Sequence, residues 1–249
     1  KYYYFNQKKM SNKMTTHTQE TSIKNKHTVL VVVAHTDDET LGLGGVIYKH
    51  IENGDTVYGI SMTDGIGARG VANEQEIKAR VQASINAGKI LGLTWLEGGS
   101  FPDNAMDSVP LLAVAKVIEK AKFLVKPTLV YTHSSADLNV DHRVVSQATL
   151  TAFRPQPNEI CQEIRTFEIA SATDYGHKSI TNLFYPNLYV DITGTWEKKL
   201  AALNEYKMEM RDAPHTRSFE GLENLAKHRG NQVGLKYAEA FEIIRKIDR

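Results

Sequence analysis

At 249 residues the chain is long enough to bury a substantial core, and one large domain is the expectation. Its 41% hydrophobic and 24% charged residues, with a formal net charge of +1, are ordinary for a soluble globular protein and leave no global electrostatic footprint for nucleic acid. Cys161 is the only cysteine, which excludes an intramolecular disulfide and makes a reducing, cytoplasmic setting the natural expectation.

Residues 1–26 are rich in lysine and polar residues and read as a flexible tail, so the folded domain is expected over 27–249. The aromatic start, Lys1 to Phe5, is too short for the apolar part of a secretory signal and lies before the lysines. From Val29 a continuous β-branched run reaches Ala34, the pattern of a strand covered on both faces in a parallel sheet and far shorter than a membrane span. Helical spacing follows over 40–53, with Gly54 as its stop, and then a strand over 56–62. The alternation continues with a helix over 74–91, a short strand near Trp95, a helix over 109–125, a strand over 128–131 and a helix beginning near Val144. Strands are expected again over 166–170 and 188–191, while the chain from Trp196 onward reads as mostly helical. Such alternation predicts an α/β sandwich with a mostly parallel sheet, in which ligands bind beyond the carboxyl ends of the strands. His35 and His133 both lie just past strand ends and should face one crevice.

The segment Ala34-His35-Thr36-Asp37-Asp38-Glu39 places an imidazole and three carboxylates directly after a buried strand, where the like charges repel unless a cation joins them. Zinc accepts imidazole nitrogen and carboxylate oxygen, and catalytic zinc keeps an open position beside three protein ligands. Asp137-Leu138-Asn139-Val140-Asp141-His142-Arg143 supplies a second cluster: His142 would complete a two-histidine, one-carboxylate site, and Asp141 would orient a neighbouring group. The competing structural role is helix capping by Asp37 or Asp38. Leu41-Gly42-Leu43-Gly44-Gly45 is not a dinucleotide turn, because carboxylates occupy the place where backbone amides meet pyrophosphate; Gly44 and Gly45 instead allow the helix to pack closely.

Together the two clusters resemble the motifs of the PIG-L/LmbE-like deacetylase family, Ala-His-Pro-Asp-Asp-Glu and His-Pro-Asp-His, and the likeness runs from about Val29 to Arg245. The resemblance implies a Rossmann-like three-layer sandwich and a zinc-dependent N-deacetylase acting on an N-acetylated amino sugar or its conjugate, with another divalent transition metal as an alternative. It assigns His35, Asp38 and His142 to the metal, Asp37 to the general base, and Arg80 and Asp103 to substrate contacts. Thr36 stands where the family has proline, and Asn139 where it has a histidine that handles the oxyanion or a proton. Asn139 itself, His133, His177 or His215 are the candidates for that role, with His215 foremost. Two rival readings are a metal-containing sugar-binding protein without turnover and a metal-dependent phosphoesterase, which would need more carboxylates for a second ion. The implied partner is a sugar or glycoconjugate, with no nucleic acid and no membrane span; an oligomer is compatible with all of this.

Overall fold

A computed structural model describes residues 26–63, 74–178 and 183–248; of the expected tail only Lys26 lies within them. The first strand, β1 (Thr28–Val33), is buried throughout after its first residue, as its aliphatic run predicts. It leads into α1 (Asp38–Glu52), then β2 (Thr56–Ser61), α2 (Glu74–Leu91), the two-residue β3 (Thr94–Trp95), α3 (Leu111–Val125) and β4 (Leu129–His133). The chain continues through α4 (Val140–Ala152), β5 (Glu163–Phe167), β6 (Leu188–Asp191), α5 (Trp196–Glu205), α6 (Phe219–Asn231) and β7 (Ala238–Lys246).

The strands form one sheet in the order β3-β2-β1-β4-β5-β7-β6. The first five run parallel, and β7 joins antiparallel to both β5 and β6. This is the expected mostly parallel α/β sandwich. Side chains alternate across the sheet: Val29, Val31 and Val33 enter one apolar layer with residues of α1, α2, α5 and α6, and Leu30, Val32 and Ala34 enter the other with residues of α3 and α4. No helix among the described residues is long and apolar enough to cross a membrane.

Two expectations need correction. The last third is not simply helical, because β7 is a nine-residue strand that wedges between β5 and β6. Its alternation of small or apolar with charged residues, Ala238-Glu239-Ala240-Phe241-Glu242, is a strand signal that the preceding helical stretch overrides in a sequence reading. The helix expected from Val144 begins four residues earlier, at Val140, because the Asn139 side chain accepts the Asp141 N–H at 2.8 Å and caps it.

Gly42 and Gly45 fit α1 onto its neighbours. A Cβ on Gly42 would lie 2.4 Å from the Phe167 ring, and one on Gly45 2.8 Å from Ile192. The start of α1 is thereby seated against β5, and its continuation from Gly45 against Ile192 just past β6. The chain leaves β1 for β2 on one side, and β4 lies on the other, so the carboxyl end of β1 is the switch point where open α/β sheets place their ligands.

Candidate metal centre

His35 follows β1, His133 ends β4, and Asp141 and His142 occupy the first turn of α4. Three ligand-type atoms converge there. His35 Nδ1 lies 3.2 Å from Asp38 Oδ2, Asp38 Oδ2 lies 3.4 Å from His142 Nε2, and His142 Nε2 lies 3.3 Å from His35 Nδ1. A tetrahedral ion bound at about 2.0–2.1 Å sets its ligand atoms about 3.3–3.4 Å apart, so the triangle has the dimensions such an ion requires. All three residues are buried.

The remaining ring nitrogens are held from outside. His35 Nε2 stands 3.1 Å from Asp141 Oδ2 and 3.1 Å from Asp103 Oδ1. Asp141, fully buried, also accepts the backbone N–H groups of Asn104 at 2.7 Å and Met106 at 3.0 Å. His142 Nδ1 lies 3.1 Å from Asp137 Oδ2, although off the line of a well-directed hydrogen bond. Carboxylates behind imidazoles fix which nitrogen each ring turns toward a metal. His35, Asp103 and Asp141 also form a second cluster of ligand-type atoms, but Asp141 already accepts backbone hydrogen bonds, which favours the orienting role.

The electrostatics call for positive charge. Burial opposes protonation of His35, but Asp103, Asp141 and Asp38 overcome it and hold the imidazole well above its ordinary range. Burial likewise opposes protonation of His142, and the carboxylates of Asp38 and Asp137 push it up to about 9. Asp38 behaves in reverse: burial favours its neutral form, yet chiefly the His142 charge keeps it well below the carboxylate range. His133 is different. Its Nε2 accepts the Ala34 N–H at 2.9 Å and its ring stacks on His142 at 4.0 Å, while burial and the neighbouring His142 charge push it down to about 3. It is a neutral wall of the site.

Asp37, next to Asp38 in the chain, meets arginines instead of imidazoles. Its backbone has φ 139°, a conformation that costs a non-glycine residue on the order of 1–3 kcal/mol. Its N–H donates to Glu39 Oε2 at 2.9 Å, and its carbonyl accepts from Thr40 and Leu41. Arg80 Nη2 lies 3.2 Å from Asp37 Oδ1, and Arg217 Nη1 lies 3.8 Å from Oδ2. Burial raises the Asp37 pKa; Arg80 opposes that, and Asp38 adds to it. Arg80 is itself buried. It pairs with Glu209 and donates to Thr36 Oγ1 at 3.1 Å and to the Thr36 carbonyl at 2.5 Å. Glu39, pushed by burial up to about 7, accepts the Tyr206 hydroxyl at 2.8 Å.

The structure therefore brings His35, Asp37, Asp38, Asp103, Asp141 and His142 together. Arg80, expected at the substrate, is placed against Asp37 and Glu209. Asn139 has its side-chain oxygen committed to the helix cap and its nitrogen to Asn104 Oδ1 at 3.0 Å. His215 Nδ1 accepts the Arg217 N–H at 3.0 Å, which leaves Nε2 as its donor and shapes the loop that carries Arg217 to Asp37. His177 is exposed. Sequence reasoning gave no role to Asp137, Tyr206 or Glu209, and marked Arg217 only as part of the polar segment around His215 that could reach the mouth of the site. Asp137 had a signal, an acidic residue five before a candidate ligand histidine; Tyr206 and Glu209 had none.

Fold and cluster together define an α/β protein with a His–Asp–His centre of metal-binding type at the switch point of its sheet. Residues 30–153 match the family described as "PIG-L: GlcNAc-PI de-N-acetylase", and the chain carries a domain of that family. It is 28% identical to 4-oxalmesaconate hydratase of Pseudomonas putida over 196 residues, 70% of each chain. It is 24% identical to diacetylchitobiose deacetylase of Thermococcus kodakarensis over 230 residues, 87% of this chain and 82% of the relative. N,N'-diacetylchitobiose deacetylase from Pyrococcus horikoshii, solved with its inhibitor MPG, shares the fold with a TM-score of 0.69 at 23% identity, over 88% of this chain and 84% of that one.

Proposed function

We propose that the chain is a divalent-metal-dependent amide hydrolase that removes the acetyl group from an N-acetylated amino sugar or its conjugate. The observation that carries this reading is the triangle of His35 Nδ1, Asp38 Oδ2 and His142 Nε2, with sides of 3.2, 3.4 and 3.3 Å, beside a buried carboxylate that is no part of it. Two imidazoles and one carboxylate suit zinc, and the same donors suit other divalent transition metals. When bound there, such an ion would acidify water and polarise the acyl carbonyl.

The chain's own groups account for the rest. Arg80 holds Asp37 through Oδ1, which leaves Oδ2 to accept the proton of the attacking water. Burial raises the affinity of Asp37 for that proton, so the carboxyl can keep it and return it to the leaving amine. Asp141 and Asp137 keep the His35 and His142 rings turned so that Nδ1 and Nε2 face the centre. The guanidinium of Arg217, 3.8 Å from Asp37 Oδ2, and the Nε2–H of His215 on the same loop are the donors assigned to the developing oxyanion or a sugar hydroxyl.

A second reading, water addition to an unsaturated acid, is favoured by the 28% identity to a hydratase, and it uses the same activated water and base. Metal analysis followed by acetate release across N-acetylated amino sugars separates the two. About one metal per chain with acetate release supports deacetylation. Consumption of an unsaturated tricarboxylic acid without any acetate release favours the hydratase.

A further inference from the structure

The helix that carries Asp38 is broken, and the break is filled by an ion pair. Within α1, Leu43 has non-helical angles, φ −149° and ψ 25°. In an unbroken helix the Gly45 N–H would donate to the Leu41 carbonyl, four residues earlier. Here Gly45 N–H donates to Glu239 Oε1 at 3.1 Å, and the Leu41 carbonyl accepts from Lys199 Nζ at 2.8 Å. Lys199 Nζ and Glu239 Oε1 are 2.6 Å apart. Where one hydrogen bond would run, the chain has inserted a carboxylate and an ammonium in series.

The insertion is anchored on both sides. Glu239 Oε2 accepts the Val46 N–H at 2.7 Å, so one carboxylate covers two amides at the start of the second half of the helix. Thr195 Oγ1 donates to the Gly45 carbonyl at 2.9 Å. Lys199 and Glu239 are 4% and 5% exposed, and a pair so buried is costly to assemble. Side chains inserted into the helical ladder are a recognised cause of kinks. The kink lets residues 38–42 take a direction of their own, and that short piece starts with the Asp38 carboxylate.

We infer that Lys199 and Glu239 are positioning residues for the metal centre: from α5 and β7 they set the angle of the first turn of α1 and so hold Asp38 Oδ2 on the triangle with His35 and His142. They touch none of the three. This rests on the reading of that triangle as a metal site, but not on which reaction the site performs.

The test uses the full chain loaded with Co2+, whose visible absorption reports ligand geometry, together with a chelator competition for the metal Kd. Lys199→Met with Glu239→Gln removes the inserted charges together, and Lys122→Met with Glu159→Gln removes the largely buried pair of 2.5 Å near Cys161 as a control. Both double variants should lower the Tm. The first alone should weaken metal binding by about 10-fold, the low end of what outer partners of a metal site contribute, and alter the Co2+ spectrum. If it does not fold, Thr195→Val, which removes the hydroxyl that donates to the Gly45 carbonyl at 2.9 Å and to the Ile192 carbonyl at 3.4 Å, should shift the Kd in the same direction. A folded variant whose Tm falls while Kd and spectrum match the unaltered protein overturns the inference. Failure of the unaltered chain to bind Co2+ would overturn the metal reading as well, which separates the two failures.

Discussion

The site has two flanks that solve one problem differently. On one, Asp38, Asp137, Asp103 and Asp141 surround the imidazoles of His35 and His142; on the other, Asp37 and Glu209 surround the guanidinium of Arg80, with Arg217 at the edge. Both flanks bury several carboxylates, and buried carboxylates require cations. The Arg80 flank carries its compensation in a side chain that never deprotonates. The imidazole flank relies on groups that can exchange a proton for a metal. Adjacent residues thus have opposite duties: Asp38 is held well below the carboxylate range, while Asp37 is raised.

The largest test of that contrast exchanges one carboxylate for an amide on each flank. Asp37→Asn should keep the metal and lower kcat by about 10²–10⁴-fold, the range for a lost general base. Asp38→Asn should lower the metal content itself. If Asp37→Asn loses the metal while Asp38→Asn keeps it, the two flanks have been assigned the wrong way round.

A smaller effect is expected at Arg80. Arg80→Met would leave the carboxylates of Asp37 and Glu209 buried without their shared cation, at a cost of about 3–5 kcal/mol of stability. Asp37 must be ionised to accept a proton, and Arg80 is the neighbour that most lowers its pKa. Without it the Asp37 pKa rises further, so the acid limb of the kcat profile should move to higher pH while KM changes little. A raised KM with an unmoved acid limb would instead place Arg80 on the substrate, the role its position in the sequence suggests.

The parallel half of the fold was legible because its signals are local. An aliphatic run that stops at His35 marks a buried strand, and a histidine with three carboxylates after it marks a site. The antiparallel addition was not. In β7, no motif marks Glu239, yet its carboxylate is spent on amides of α1 that lie 193 and 194 positions earlier. Tyr206 and Glu209 follow α5 with no motif around them and acquire meaning only where Glu39 and Arg80 meet them. Asn139 was read as a replacement for a catalytic side chain because it falls within a motif. The position is also the N-cap of α4, and asparagine is among the best residues for that task. Contacts that complete a buried charge network join residues across the whole chain, and spacing along the sequence carries no trace of them.

The mildest test concerns pH on the imidazole flank. Against burial, Asp38 and Asp137 raise His142 to about 9, and His35 is also held above its ordinary range. A metal needs both rings neutral, so binding must release protons, and the affinity should climb by about 10- to 100-fold per pH unit from pH 7 toward 9 and flatten above. Without metal the dependence has the opposite sign. A histidine whose folded pKa exceeds its unfolded value contributes stability that is complete below about 6.5 and is lost as the pH rises through about 9. Chelator-treated protein should therefore lose Tm over that interval, while metal-loaded protein holds or gains it. Asp137→Asn removes one of the two carboxylates that raise His142, so both crossovers should move to lower pH; identical titrations for the variant and the unaltered protein would show that Asp137 does not govern this ring.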